Sequence, residues 1–408
     1  MSPLRPLDQS AKLRDVLYEI RGRALVEADR LEAEGHTILK LNTGNPAVFG
    51  FEAPFQIVRD MIEAVPHAHG YSDSRGIMSA RRAVVYRYEQ DASFPAFEPD
   101  DVYLGNGVSE LITMTMQSLL DDGDEVLIPA PDYPLWTAMT SLGGGTPVHY
   151  VCDEQSGWQP DLDDIRSKVT ERTKAIVVIN PNNPTGAVYT REILEGIAEI
   201  AREHSLLLLA DEIYDRIVFD DAVHIPMASV APDLLCLTFN GLSKTYRVAG
   251  FRSGWLVITG PKSHAAGFLE GITLLASTRL CPNVPAQHAV QAALSGVQSI
   301  DALIAPSGRL HEQRDAAWEA LEAIPGVTCV KPAGALYAFP RLDPEVHEIH
   351  DDARLVYDFL VAEHVLLVQG TGFNWATPDH LRIVTLPESR VLTEAIERLG
   401  NFLSSYRQ

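Results

Sequence analysis

Lys244 stands in the stretch "NGLSKTYRVAGFRSGW", residues 240–255, eight residues before Arg252 and 33 after Asp211, which itself follows Asn183 by 28. A lysine in a loop is ordinarily a surface cation. The alternative is a nucleophilic amine that condenses with a carbonyl to a Schiff base. Asp211, behind the leucines of "LLLLADEIYD", is either the cap of a following helix or a buried carboxylate held for a cationic partner. "NPNNPTG", 180–186, is a turn stiffened by its prolines, or one whose stiffness leaves asparagine amides available to a ligand. "YLGNGVSELI" passes from apolar residues through glycines into a helix starting near Ser109, so the N–H groups of Gly107, Val108 and Ser109 can hold a phosphate.

Pyridoxal phosphate is the reactant that uses these groups together. It needs an amine for its aldehyde, a carboxylate for its pyridine nitrogen, donors to its phenolate oxygen, an anion site for its phosphate and an aromatic face against its ring. A nicotinamide dinucleotide fits worse. Its GxGxxG fingerprint needs glycine where Glu110 stands, and an acidic residue where Pro129 and Ala130 end the next apolar run.

Such residues must be carried to one place by the elements around them. Apolar runs at 101–104, 125–129, 175–180, 206–211, 234–240 and 254–259 read as strands, several with no polar face, as strands buried on both sides of a parallel sheet do. Amphipathic stretches at 109–120 and 191–204 fall between them, and the glycines at 143–145 read as a turn. The fold class is therefore α/β. The candidate residues sit just past the ends of these runs, where open α/β sheets bind ligands. From about residue 300 the pattern changes to a helix over 308–323, another near 351–364 and a few strands such as "HLRIVTL". The expected organisation is a large domain over 51–299 and a smaller α+β domain over 300–408 completed by residues 1–50.

Composition narrows the partners. The 408 residues carry 33 Lys+Arg against 55 Asp+Glu, a net charge of −22, the wrong sign for nucleic acid or an anionic membrane. Cys152, Cys236, Cys281 and Cys329 lie far apart without CxxC pairing, against a disulfide framework or a zinc site. No long apolar segment or leader-like h-region is evident, so a soluble, cytoplasmic protein is expected. "HEIHDD", 347–352, lacks metal-motif spacing and reads as a solvated loop, so no metal is expected.

"NPNNPTG", "ADEIY", "GLSKTYRVAGFRSGW" and "LRIV", in this order, make the chain resemble the fold-type-I pyridoxal-phosphate aminotransferases. It is closer still to their bacterial alanine transaminase branch, through "LNTGNPAVFGF", "GNGVSELI", "PAPDYPLW", "NVPAQHA" and "FNWATPDHLRIV". The resemblance covers almost the whole chain and implies a large domain with a mostly parallel sheet flanked by helices. It makes Lys244 the Schiff-base amine and proton shuttle, and Asp211 the partner of the pyridine nitrogen. Asn183 and Tyr214 become donors to the phenolate oxygen, and Tyr133 the residue stacked on the ring. The phosphate falls to the 107–109 backbone and Arg252, assisted by Ser243 or by Tyr71 of a second subunit, which makes a homodimer the active unit. Many relatives carry serine three residues before the lysine, where this chain has Gly241.

Arg382 is implied as the binder of the substrate α-carboxylate, helped by the Gly44 backbone and the Asn183 amide. Tyr337 is a possible substrate neighbour, since an aromatic residue in such a strand is also ordinary core. Arg21, one helical turn after Tyr18, is placed to be a mobile cation for the glutamate side chain. The implied reaction exchanges an amino group between L-alanine and 2-oxoglutarate, giving pyruvate and L-glutamate. Branched-chain or aromatic specificity, a lyase using the same lysine, and a non-catalytic sensor module are the competing readings. The last would need a DNA-binding domain that residues 1–40 are too few to form.

Overall fold

The computed structural model describes residues 7–13, 16 and 22–408. Eight strands form one sheet: β1 (Val102–Gly105), β2 (Glu125–Ala130), β3 (Thr146–Asp153), β4 (Gln159–Pro160), β5 (Thr173–Ile179), β6 (Leu207–Asp211), β7 (Cys236–Gly241) and β8 (Gly254–Thr259). Their spatial order is β1-β8-β7-β6-β5-β2-β3-β4; the pairings among β7, β6, β5, β2 and β3 are parallel, and β8 and β4 run antiparallel to their neighbours. The absence of a polar face has a direct cause. Along β5, Ala175, Val177 and Ile179 enter the core on one side of the sheet while Ile176 and Val178 enter the core on the other.

The six apolar runs correspond to six of these strands. β3 and β4 do not stand out in sequence, because they lie at the outer end of the sheet, where "TPVHYVCD" buries only Tyr150 and Cys152. The glycines before β3 do turn the chain: the preceding helix ends at Leu142, and Gly144 has φ +98°.

Sheet direction delivers the candidate residues. β1, β2, β5, β6 and β7 point the same way, so the residues after each emerge along one edge. β8 runs the opposite way, so its beginning, just after Arg252, lies on that same edge.

A second core gathers Ala28, Leu31, Ile38 and Leu41 with Leu321, Phe359, Leu381, Leu392 and Leu399. Leu39–Lys40 pairs in parallel with Val365–Leu366. β11 (Leu381–Val384) lies antiparallel between β9 (Tyr337–Ala338) and β10 (Val368–Gln369). Helices Arg309–Glu322, Asp352–Glu363 and Ser389–Ser405 pack on these strands.

The 347–352 stretch is not the solvated loop its composition suggests. His347 ends a short helix, Pro344–His347, and is buried with Nε2 3.0 Å from the Pro325 carbonyl. Asp352 is also buried, because its carboxylate accepts from Thr371 N at 2.9 Å and Thr371 Oγ1 at 2.7 Å, which satisfies it away from water.

Candidate active site

A cavity of about 500 Å³ opens along the shared sheet edge. Val108, Ser109, Ser243 and Arg252 line it, as do Tyr133, Asp211, Tyr214 and Lys244, and also Gly44, Asn183, Tyr337 and Arg382. These residues come from positions as distant as 44 and 382 because separate strand ends converge there.

After β1, Gly107 caps α1 (Val108–Leu119) with φ +84°. A side chain at 107 would be strained by that angle and would place its Cβ 2.5 Å from Arg252 Nη2. The backbone N–H groups at the start of α1 and the guanidinium therefore meet with nothing between them, which is a cradle for a doubly charged anion. Arg252 is held by the carbonyls of Ala249 at 3.1 Å and Asn106 at 3.4 Å.

Asp211 ends β6 and is buried. Trp136 Nε1 donates to its Oδ2 at 3.0 Å, and Ile213 N approaches Oδ1 at 3.4 Å. Burial pushes this carboxyl up to about 6, against the downward pull of the Trp136 and Ile213 N–H groups and the Lys244 charge. A cation set beside it would draw it back to the ionised form. Asp211 caps no helix, since the next one along the chain is Met227–Val230, with Pro226 at its start.

The Lys244 Nζ donates to the Gly44 carbonyl at 2.7 Å and lies 5.8 Å from the centre of the Tyr214 ring. The Tyr214 hydroxyl is 2.7 Å from that of Tyr337. Burial raises both phenols. At Tyr337 the Lys244 and Arg382 cations outweigh it and bring the group below its ordinary value, whereas Tyr214 stays well above. Gly44 must be glycine, because a Cβ there would lie 2.3 Å from the Tyr337 hydroxyl.

Arg382, in the middle of β11, is buried and sandwiched, its guanidinium carbon 4.5 Å from the centre of the Tyr337 ring and 4.5 Å from that of Phe373. Nη1 donates to Asn183 Oδ1 at 3.1 Å and Nη2 to the Asn42 carbonyl. Of the asparagines in "NPNNPTG", Asn180 and Asn182 serve the turn: Asn180 Oδ1 accepts from Tyr189 N, and Asn182 Oδ1 from Thr185 N and Oγ1. Asn183 is the one that lines the cavity.

The chain matches the aminotransferase class I and II family over residues 36–399. It belongs to that family. It is 72% identical over 404 residues to an alanine aminotransferase of Mycobacterium tuberculosis, covering 99% of this chain and 94% of the relative. It is 59% identical to the glutamate-pyruvate aminotransferase AlaA of Escherichia coli, covering 99% and 100%. A crystal structure of an aminotransferase from Escherichia coli superposes with a TM-score of 0.97 at 59% identity, over 99% of this chain and 100% of that one.

The fold is that of the fold-type-I enzymes, and the family's cofactor is pyridoxal phosphate. The aminotransferase fits that group: the Gly107 cradle that any Cβ would fill, the buried Asp211 carboxylate and the Lys244 amine border one cavity.

Other expected residues stand differently. Tyr71 does not line this chain's cavity and is 84% exposed. Tyr18 and Arg21 lie outside the described residues. Gly241 has a structural reason to lack the relatives' serine: it pairs with Gly254 across β7 and β8, and a Cβ would sit 2.9 Å from the Ser253 carbonyl and 3.0 Å from Gly254 Cα. Ser243, two residues further on, does line the cavity. Trp136, Phe373 and Asn42 were not legible as site residues; an indole, a phenyl and a backbone carbonyl carry no chemical signature until the fold brings them together.

Proposed function

We propose that this aminotransferase exchanges an amino group between L-alanine and 2-oxoglutarate, giving pyruvate and L-glutamate. The observation that carries the reading is the shared cavity, which brings one amine, Lys244, together with a buried carboxylate, Asp211, and a buried guanidinium, Arg382. The choice of alanine rests on the names of the two relatives above.

Pyridoxal phosphate supplies, when bound, the aldehyde that takes up an amino group and the ring that spreads the charge left at the substrate Cα. Backbone N–H groups at 107–109, Arg252 and the Ser243 hydroxyl would hold its phosphate. Asp211 would favour a positive charge at the ring nitrogen, Asn183 and Tyr214 would donate to the phenolate oxygen, and Tyr133 would be the aromatic neighbour of the ring. Lys244 would take the proton from the substrate Cα and deliver it to the carbon that carries the aldehyde in the free cofactor, the shift on which amino transfer depends. Arg382 grips the α-carboxylate bidentately, which orients the Cα; Gly44, Tyr337, Tyr18 and Arg21 complete the substrate side. Two domains, 51–299 and 1–50 with 300–408, are supported by the separate core that residues 28–41 share with the C-terminal part.

The active unit is proposed as a homodimer in which Tyr71 reaches the partner's phosphate; its exposure outside its own cavity supports this. A cytoplasmic setting is supported by four free thiols, which a reducing compartment maintains. Among the described residues, no helix is long and apolar enough to cross a membrane.

The test is a visible spectrum of the holoenzyme during sequential addition of L-alanine and 2-oxoglutarate. The cofactor band is expected to fall with alanine and to return with 2-oxoglutarate, and Lys244→Ala to show neither change. A band indifferent to alanine would sink the substrate assignment.

A further inference from the structure

Glu110, where a dinucleotide fold would need glycine, lies in the first turn of α1. A carboxylate so near the phosphate cradle opposes anion binding if charge alone is considered. Its contacts give it another use. Glu110 Oε2 accepts from Asn106 N at 2.8 Å, Oε1 accepts from Asn106 Nδ2 at 2.9 Å, and Arg279 closes an ion pair on Oε2. Asn106 is held from two further sides. Its Oδ1 accepts from Asn283 N at 2.8 Å, and its carbonyl accepts from Arg252 Nη2 at 3.4 Å.

The residue before the Gly107 turn thus has its backbone N–H and carbonyl and both amide atoms engaged, two of them by one carboxylate. Arg279 carries the tie outward, donating from Nη2 to the carbonyls of Leu104 at 2.8 Å and Ser74 at 3.0 Å. Its ion pair with Glu110 is largely shielded, with side-chain exposures of 15% and 25%.

We propose that Glu110 and Arg279 are a positioning pair for the phosphate cradle. Glu110 fixes Asn106, and through it Gly107 and Arg252, in the arrangement a phosphate needs, while Arg279 offsets the Glu110 charge and ties the cradle to β1 and to residue 74. Neither residue lines the cavity. The inference rests on the cofactor reading above.

Charge and geometry make opposite forecasts for Glu110→Gln. Removing a negative charge beside the cradle strengthens phosphate binding; loosening Asn106 weakens it. The experiment titrates the apoprotein with pyridoxal phosphate and, separately, with pyridoxal, which lacks the phosphate. Glu110→Gln is expected to bind pyridoxal phosphate about tenfold more weakly, the scale of one charge-assisted hydrogen bond, and to bind pyridoxal as the unaltered protein does. Glu110→Asp keeps the charge but shortens the reach, and it too is expected to lose affinity for the phosphorylated form alone.

Equal or tighter binding of pyridoxal phosphate by Glu110→Gln overturns the proposal, and so does an equal loss for both ligands, which marks a general structural role. If the unaltered apoprotein itself does not prefer pyridoxal phosphate to pyridoxal, the cofactor site assignment fails instead, and the positioning pair with it.

Discussion

At the scale of single residues, the least expected contributor is Trp136. A buried indole needs a partner for its N–H, and here the partner is the Asp211 carboxylate, 75 positions away in sequence. The indole is a donor only, so it favours the ionised carboxyl. Removing that donor with Trp136→Phe, which keeps most of the packing against Phe239, should raise the Asp211 pKa further. The acid limb of the kcat/KM profile for alanine is expected to move up by about one pH unit, the equivalent of one hydrogen bond, with kcat falling more than KM changes. A lowered Tm with an unmoved profile would reduce Trp136 to packing. Lys244 and Asp211 were legible because ionisable groups past apolar runs are chemically unusual, and Arg382, inside β11, was legible only through the family resemblance; Trp136 was not, because its role exists only as a tertiary contact. Gly241 shows the same limit, since its need for hydrogen instead of a side chain follows from Gly254 opposite.

At the scale of elements, the turn after β2 is tied to the turn before β11. Asp132 N donates to the Phe373 carbonyl at 3.0 Å, and the Asp132 carboxylate accepts from Asn374 Nδ2 at 2.7 Å and Thr137 Oγ1 at 2.9 Å. Tyr133 follows directly, and Phe373 lies against Arg382, so one polar knot supports both the ring side and the carboxylate side of the cavity. Burial pushes the Asp132 carboxyl up to about 7, despite the Asn374 and Thr137 hydrogen bonds. Because the folded value lies above the unfolded one, the protonated form favours folding: this contribution is full below about pH 4 and is lost as pH rises to about 7, at no more than ~1.4 kcal/mol per unit. His149, which meets Thr137 Oγ1 at 2.9 Å, is pushed down to about 4 by burial and by Lys168, and so stays neutral through most of that window. Asp132→Asn cannot titrate, so the stability advantage of the unaltered protein over this variant should shrink from pH 5 to pH 8 in parallel thermal melts. A constant difference would show that Asp132 keeps its ordinary pKa. The helices at 191–204 and 309–322 were legible from periodicity, and the central strands from their unbroken apolar runs. The knot was not, since nothing in "PDYP" and "GFNW" names the other as its partner.

For the whole molecule, a net charge of −22 disfavours association of like chains by charge, so a homodimer must rest on apolar contact. Exposed Phe55, Ile62, Tyr71 and Leu274 supply apolar surface within the part of the chain that carries the sheet. The decisive question is whether Tyr71 acts in its own chain or in its partner's, and mixing two impaired chains answers it. Lys244→Ala lacks the amine but keeps Tyr71; Tyr71→Phe keeps the amine but lacks the hydroxyl. If Tyr71 crosses the interface, a mixed dimer contains one site with both groups intact and one with neither. In a two-fold symmetric dimer assembled at random from equal amounts, about a quarter of all sites should then be native, and the mixture should exceed the summed activity of the separate variants. If Tyr71 served its own chain, every site would lack one group or the other, and mixing after dissociation and reassociation would restore nothing. The kinetics of the restored fraction add a second check, because native sites must show the unaltered protein's KM for alanine while residual Tyr71→Phe sites need not.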